Sequence, residues 1–319
     1  MAEARRVRVS ALAKINLDLR VLGKREDGYH ELRTIFQTIS LADRIEITFQ
    51  RSRSTSVEAE SSVEIADNIA VRAARLCLDE MRVAARVGIS IEKRIPMGAG
   101  LGGGSSDAAA MLLSLPALAG KPVPLDRLLA LARALGSDVP FFLLGGRAVG
   151  VGRGEELYPL PDLSVRHTLV VAPGIHVSTA EAYRALNAPP MALGGLTTER
   201  LQSTIERFVS LAWGAGRKEP VNDFEPAVFA AHPVLRRLKQ KLRRAGAGPA
   251  LLSGSGSALY GVFRSQEAVQ HAQQQFERTA AHPVTLVGRA RYRALWRRWL
   301  RPFAVNEVWP PQHSGRSTP

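Results

Sequence analysis

The chain has 319 residues, 45% apolar and 23% charged, enough core for two ordinary domains and too much for disorder over most of its length. A single cysteine, Cys77, excludes an internal disulfide framework and fits a reducing compartment. The net charge of +14 is uneven: residues 289–319 hold seven arginines and one acid, and the rest needs no nucleic-acid partner to explain it. With no signal-like apolar start and no run of 18 apolar residues, the expectation is a cytoplasmic chain without a transmembrane segment.

In chain order, Val7, Val9, Ile15, Leu17, Leu19 and Val21 alternate at period two and predict a strand, broken near Ala11-Leu12-Ala13. Asp27-Gly28 is turn chemistry. Strands are expected at Arg44–Gln50 and Val87–Lys93, and between them a helix capped by Asp67 with Ile69, Ala73, Leu76, Cys77 and Met81 on its apolar face. Cys77 therefore reads as core. A second helix is expected over Ser105–Leu115, ending before Pro116, and a third over Leu125–Leu135, stopped by Gly136.

Pro159, Pro161 and Pro173 punctuate a short strand, Thr168–Ala172, and a domain boundary is expected near residue 160. Beyond it, helices Thr179–Leu186, Arg200–Val209, Val234–Ala245 and Gln266–Arg278 interleave with strands Ala250–Leu252, Ser257–Phe263 and Thr285–Val287, suggesting an α+β sandwich. Tyr292, Leu295, Trp296, Trp299, Leu300 and Phe303 then recur at three- and four-residue spacing, with Arg291, Arg297, Arg298 and Arg301 mostly on other faces. This is a basic amphipathic helix. Docking on its own domain is the plain expectation, and surface contact with an anionic membrane or a partner is the alternative. Cutting at 288 is then expected to lower the melting temperature and leave the ligand sites competent. After Pro310-Pro311 the chain reads as a disordered end.

Chemistry concentrates in Pro96-Met-Gly-Ala-Gly-Leu-Gly-Gly-Gly-Ser-Ser106, between a strand and a helix. Five glycines in seven positions let backbone N–H groups approach an anion at a helix N-terminus, although a flexible loop with a serine cap has the same composition. No Lys-Ser or Lys-Thr follows the glycines, so the Walker loop fails. The embedded G-x-G-x-x-G lies too far along the chain for a dinucleotide fold. Lys14 and Asn16 share one face of the first strand. Asp138, before Pro140, is either a helix cap or a reactive carboxylate, and Tyr29-His30 either stacks on a nucleobase or merely packs. The seven histidines are scattered, which argues against zinc, and no nucleophile elbow is present.

Pro96–Ser106 resembles the central motif of the GHMP kinases. With Ala13-Lys-Ile-Asn-Leu17, Gly23–His30, Gly136–Phe142, Gly152-Arg-Gly-Glu155, Asn222-Asp-Phe-Glu225 and Ser253-Gly-Ser-Gly256, the likeness narrows to the branch acting on a diphosphocytidyl methylerythritol and covers about residues 8–288. The resemblance implies an α+β, two-domain GHMP kinase fold. Residues 1–160 would form a ribosomal-protein-S5-domain-2-like domain binding ATP and substrate, residues 161–288 a ferredoxin-like α/β sandwich, and residues 289–319 an extension outside the pattern. It implies ATP-dependent phosphorylation of the 2-hydroxyl of that small-molecule substrate, with Mg²⁺ and without nucleic acid.

By the same resemblance, Asp138 is the general base and Lys14 its electrostatic partner, while Asn16, Tyr29 and His30 bind substrate. ATP falls to Asn68, Lys93, Pro96, Met97, Gly98, Ala99, Gly100, Leu101, Gly102, Gly103, Gly104, Ser105 and Ser106, with Ser106 also the candidate metal ligand. A valine at Gly103 is expected to block the phosphates. Leu12 stands where the family usually has proline. Phosphoryl transfer asks mainly for alignment and charge neutralisation, which these residue types supply. Rival readings are a GHMP kinase for homoserine, mevalonate or a sugar, and a basic nucleic-acid-binding protein.

Overall fold

The opening alternation builds a hairpin far longer than its apolar pattern suggests, β1 (Arg5–Lys24) against β2 (His30–Arg51). This is a computed structural model, and it describes residues 3–164, 166–186, 219–276, 279–304 and 309–311. The expected break at Ala11-Leu12-Ala13 is a bulge within one strand: pairing jumps from Leu12–Ala42 to Lys14–Thr38. Only the end of β2 shows in the hydropathy, because Thr34, Gln37, Thr38 and Asp43 are buried polar residues that break the alternation.

Around this hairpin lie β3 (Ser56–Ser61), β4 (Ala85–Glu92), β5 (Arg147–Gly152) and β6 (Glu156–Pro159). The order is β3-β4-β2-β5-β6, with β1 on β2, and only β3–β4 is parallel. Helices α1 (Ile69–Met81), α2 (Gly103–Ala119), α3 (Leu125–Leu135) and α4 (Val139–Leu144) share one core with the sheet, through residues such as Cys77, Leu112, Phe141, Ile45 and Ile89. Burial pushes the Cys77 thiol well up, so it is inert packing.

Two local expectations change here. Asn68, not Asp67, caps α1, its Oδ1 accepting from Ala70 N at 3.0 Å, while Asp67 pairs with Arg72. α2 passes through Pro116 to Ala119. The proline forfeits one helical bond, but Ala117, Leu118 and Ala119 are buried beyond it and Gly120 closes the helix.

The second sheet runs β10 (Ala280–Thr285), β7 (His167–Ala172), β9 (Leu259–Phe263), β8 (Ala250–Leu252), all antiparallel. With α5 (Thr179–Ala185), α6 (Glu225–Ala231), α7 (Pro233–Arg244) and α8 (Gln266–Gln274) between its strands, it has the ferredoxin-like βαββαβ order. The last strand precedes the expected Thr285–Val287; an edge position tolerates Pro283, which hid it. α6 was not foreseen, and the helix expected over Arg200–Val209 lies outside the described residues. Ala13, Ile15, Ala99 and Leu101 of the first lobe pack with Val170, Leu251 and Tyr260 of the second.

α9 (Arg289–Leu300) buries Tyr292, Trp296 and Leu300 in the first lobe's core, so the basic helix docks on its own chain. Among the described residues, no helix is long and apolar enough to cross a membrane.

Candidate active site

The glycine loop is held by its carbonyls. Ala99 O accepts from Ala258 N, Gly100 O from Ser253 Oγ, Leu101 O from Lys14 N and Gly102 O from Ser106 N, all at 2.9–3.0 Å. With the oxygens turned into protein, the N–H groups of Gly100–Ser105 find no acceptor among the described residues. Positive φ at Gly98, Gly100 and Gly102 makes this turn possible, and a Cβ on Gly100 would collide with Ser253 O. The loop is therefore a concentration of free donors at the start of α2, shaped for an anion.

Within Pro96–Ser106 the residues divide. Gly100 and Ser105 line the main cavity, Met97, Gly98 and Gly104 are exposed, and Ala99, Leu101 and Ser106 are buried supports. Ser106 donates to Leu12 O at 2.7 Å. A side chain on Gly103 would meet Ile95 and Lys93 Nζ at 3.0–3.2 Å, so it points into the protein, contrary to the expectation that it would stand where a phosphate approaches.

Lys93 lies beneath the loop, buried, its Nζ bridging Asp43 at 2.5 Å and Asp107 at 2.8 Å. Burial lowers the Lys93 pKa, but the two carboxylates outweigh it and leave it raised; burial pushes the Asp107 carboxyl up. Asp43 also accepts from the N–H groups of Arg94 and Ile95. The cluster pins the strand that enters the loop. Asn68 borders a separate hollow with Asp67, Arg72 and Arg75, and Ile69 beside it packs against Gly104.

Lys14 and Asn16 emerge together from β1, as their spacing requires. Lys14 Nζ donates to Asn16 Oδ1 at 2.8 Å and lies 3.3 Å from Asp138 Oδ2. Asn16 Nδ2 in turn donates to Thr34 Oγ1, which donates to Asp18 O. Asp138 occupies the cap position of α4, yet its side chain makes no capping bond there. Its carboxylate is a third exposed, to the cavity, while Lys14 is almost wholly buried. The cap reading loses, and the pair faces open space beside Gly100 and Ser105.

From there the cavity, about 810 Å³, runs to an aromatic end. His30 stacks on Tyr183 with ring centroids 4.7 Å apart, Tyr183 meets Phe224 edge-on, and the Arg153 guanidinium sits 4.5 Å above the exposed Tyr29. Burial, helped by Lys24, pulls the His30 imidazole below its ordinary range, so at neutral pH it keeps one donor and one acceptor. Tyr183 (α5), Phe224 (the start of α6), Arg153 (just after β5) and Thr34 (β2) carried no signal of this role in the sequence, because the fold brings them here from distant positions.

Asn222 and Ser253, quoted earlier only as parts of motifs, turn out to be braces. Asn222 Nδ2 donates to Leu252 O and Gly254 O at 2.8 Å each, holding the turn whose Ser253 holds Gly100. Among the described residues, no group of three His, Cys, Asp or Glu side chains is placed to hold a metal.

Comparison with known proteins agrees with this geometry. The GHMP kinases N terminal domain family matches residues 68–146, and the GHMP kinases C terminal family matches residues 201–282. A 4-diphosphocytidyl-2-C-methyl-D-erythritol kinase from Solibacter usitatus is 56% identical over 313 residues, 98% of each chain, a match that reaches into the C-terminal extension. One of the same name from Citrifermentans bemidjiense is 39% identical over 84% of this chain and 93% of its own. A crystal structure of a 4-(cytidine 5'-diphospho)-2C-methyl-D-erythritol kinase superposes with a TM-score of 0.73 at 37% identity, over 88% of this chain and 99% of that one. A homoserine kinase from Cytophaga hutchinsonii, at 19% identity and a TM-score of 0.68 over 89% and 95%, shares the fold. The chain belongs to the GHMP kinases, in the branch of the 4-diphosphocytidyl-2-C-methyl-D-erythritol kinases.

Proposed function

We propose that the chain transfers the γ-phosphoryl group of ATP to the 2-hydroxyl of 4-diphosphocytidyl-2-C-methyl-D-erythritol, a step toward isoprenoid precursors. The observation that carries this reading is the Lys14–Asp138 pair, 3.3 Å apart, between a backbone anion loop and an aromatic pocket in one cavity. Asp138 accepts the proton of the attacking tertiary alcohol, whose oxygen bonds to the γ-phosphorus as the bond to the β-phosphate oxygen breaks and ADP leaves. Lys14, fixed by Asn16 and Thr34, steadies the developing negative charge. Asn16 thus serves the reaction by orienting Lys14.

The free N–H groups of Gly100–Ser105 bind the phosphates of ATP, and the hollow beside Asn68 takes its nucleoside end. Mg²⁺ would fit as an ion brought by ATP: among the described residues no acidic cluster is placed to hold one, and Ser106 Oγ, its proton committed to Leu12 O, keeps lone pairs that could meet a metal. When bound it offsets phosphate charge. Lys93 acts on the loop from below, through Asp43 and Asp107. Tyr29, His30 and Tyr183 hold the cytosine, with the neutral imidazole addressing its polar edge.

The test is direct. With ATP and Mg²⁺, the diphosphocytidyl alcohol should yield ADP and a phosphorylated product in equal amounts, and cytidine diphosphate should raise the melting temperature. Phosphorylation of homoserine or mevalonate with no response to cytidine diphosphate would overturn the assignment.

A further inference from the structure

The helix that carries Asp138 is held at its far end by the C-terminal extension. α4 has six residues, too few to be stable alone, so its placement depends on what packs around it. Its leading side is already engaged. The Phe142 ring abuts Gly102 so closely that a Cβ there would lie 2.8 Å from Phe142 Cζ, and Phe141 packs on Phe36, over which Lys14 Nζ sits at 5.4 Å. One short helix therefore touches the glycine loop, the ring under the lysine and the carboxylate.

Its last carbonyls need donors from elsewhere. Tyr292 Oη donates to Phe142 O at 2.5 Å, and Trp309 Nε1 donates to Leu143 O at 2.8 Å. The two rings lie 6.3 Å apart, and the Arg293 guanidinium covers Trp309. Immediately after α4, Gly145 and Gly146 have positive φ; a Cβ on the first would run into the Tyr292 ring, and one on the second would lie 2.6 Å from Arg289. Arg289 then donates to Arg147 O and, through its backbone N–H, to Asp162 at 2.8 Å. The end of α4 is thus cut to receive the extension.

We infer that Tyr292 and Trp309 are positioning residues for the phosphoryl transfer. Their bonds to Phe142 O and Leu143 O fix the axial position of α4, and through it the aim of Asp138 at the substrate hydroxyl. The inference rests on the reading of Asp138 as proton acceptor. It also replaces the expectation that a cut at 288 costs only stability: binding of ATP and cytidine diphosphate should survive the cut, and turnover should fall.

The experiment compares Tyr292→Phe, Trp309→Phe, the double variant, Leu300→Val and Asp138→Asn by steady-state kinetics well below their melting temperatures. Losing one such hydrogen bond should lower kcat by about 3- to 10-fold, with both KM values within about twofold of wild type. The double variant should lose more. Leu300→Val thins the same packing but spares both bonds, and should lower the melting temperature with kcat unchanged. Wild-type kcat in Tyr292→Phe and Trp309→Phe, or a matching kcat loss in Leu300→Val, would overturn the inference. If Tyr292→Phe does not fold, Trp309→Phe, half-buried and near the chain's end, decides by the same criterion. Should Asp138→Asn turn over normally, the proton-acceptor reading fails and the inference with it. An inactive Asp138→Asn beside unaffected tail variants sinks the positioning role alone.

Discussion

Under the proposed function, the two ends of the cavity would recognise their ligands by opposite means. At the glycine loop the proposed recognising groups are backbone N–H donors, and the side chains that matter stand behind it: Ser253, Lys93 and Asp107. At the cytidine end the recognising groups are side chains, and the backbone merely delivers them: Tyr29 from a turn, His30 from β2, Tyr183 from α5. An anion needs charge complementarity at short range, which any tightly turned backbone provides. A nucleobase needs a flat apolar face and a specific polar edge, which only side chains supply. The loop should therefore fail when its supports fail, whereas the aromatic end should weaken in steps.

The largest expected effect lies between the ends. Asp138→Asn should lower kcat by roughly 10²–10⁴-fold with the melting temperature nearly unchanged. The carboxylate makes no capping bond, Lys14 keeps its bond to Asn16, and the amide leaves an oxygen beside Lys14, so the fold should survive the exchange. Full activity would return Asp138 to being a mere helix start.

Next comes the support under the loop. Lys93→Met should leave Asp43 and Asp107 buried without their cation and destabilise the protein by about 3–5 kcal/mol. Chemical denaturation measures it, and a loss under about 1 kcal/mol would show that the cluster is not a support. Gly100→Ala tests shape at the same end. With φ +78 and Ser253 O in the way, the loop must move, and ATP affinity should drop about 10-fold or more while cytidine diphosphate still binds. Equal loss of both ligands would erase the contrast between the ends.

At the aromatic end the steps should be smaller. Tyr183→Ala removes the ring on which His30 stacks and should raise KM for the diphosphocytidyl substrate by about 3- to 10-fold, with KM for ATP unchanged. The smallest effect is one of pH. Burial lowers the His30 pKa, so the neutral imidazole is favoured at neutral pH and takes up its proton at lower pH than an ordinary histidine. Affinity for cytidine diphosphate should stay flat from mildly alkaline to neutral pH and decline only in acid; calorimetry showing a decline that begins on the alkaline side would remove His30 from the cytosine edge.

What could be read without the structure followed from local rules. The glycine run, the period-two start, the Gly136 stop and the apolar stripe of the C-terminal helix each express chemistry between near neighbours, and those elements formed where they were expected. Pairing Lys14 with Asn16 was legible too, since a strand puts alternate residues on one side. Partners distant in the chain were not. Whether Asp138 caps a helix or faces a lysine depends on a strand 124 residues away; whether Gly103 points at a phosphate depends on Ile95 and Lys93. The buried polar residues of β2 broke the hydropathy pattern, and most of their partners lie in other elements, as Asn16 does for Thr34 and Lys93 for Asp43. Likewise, the stripe on α9 announced burial but not its place, and only packing set Tyr292 against the carbonyl of Phe142. Periodicity records which side of an element avoids water; it holds no record of what that side will meet.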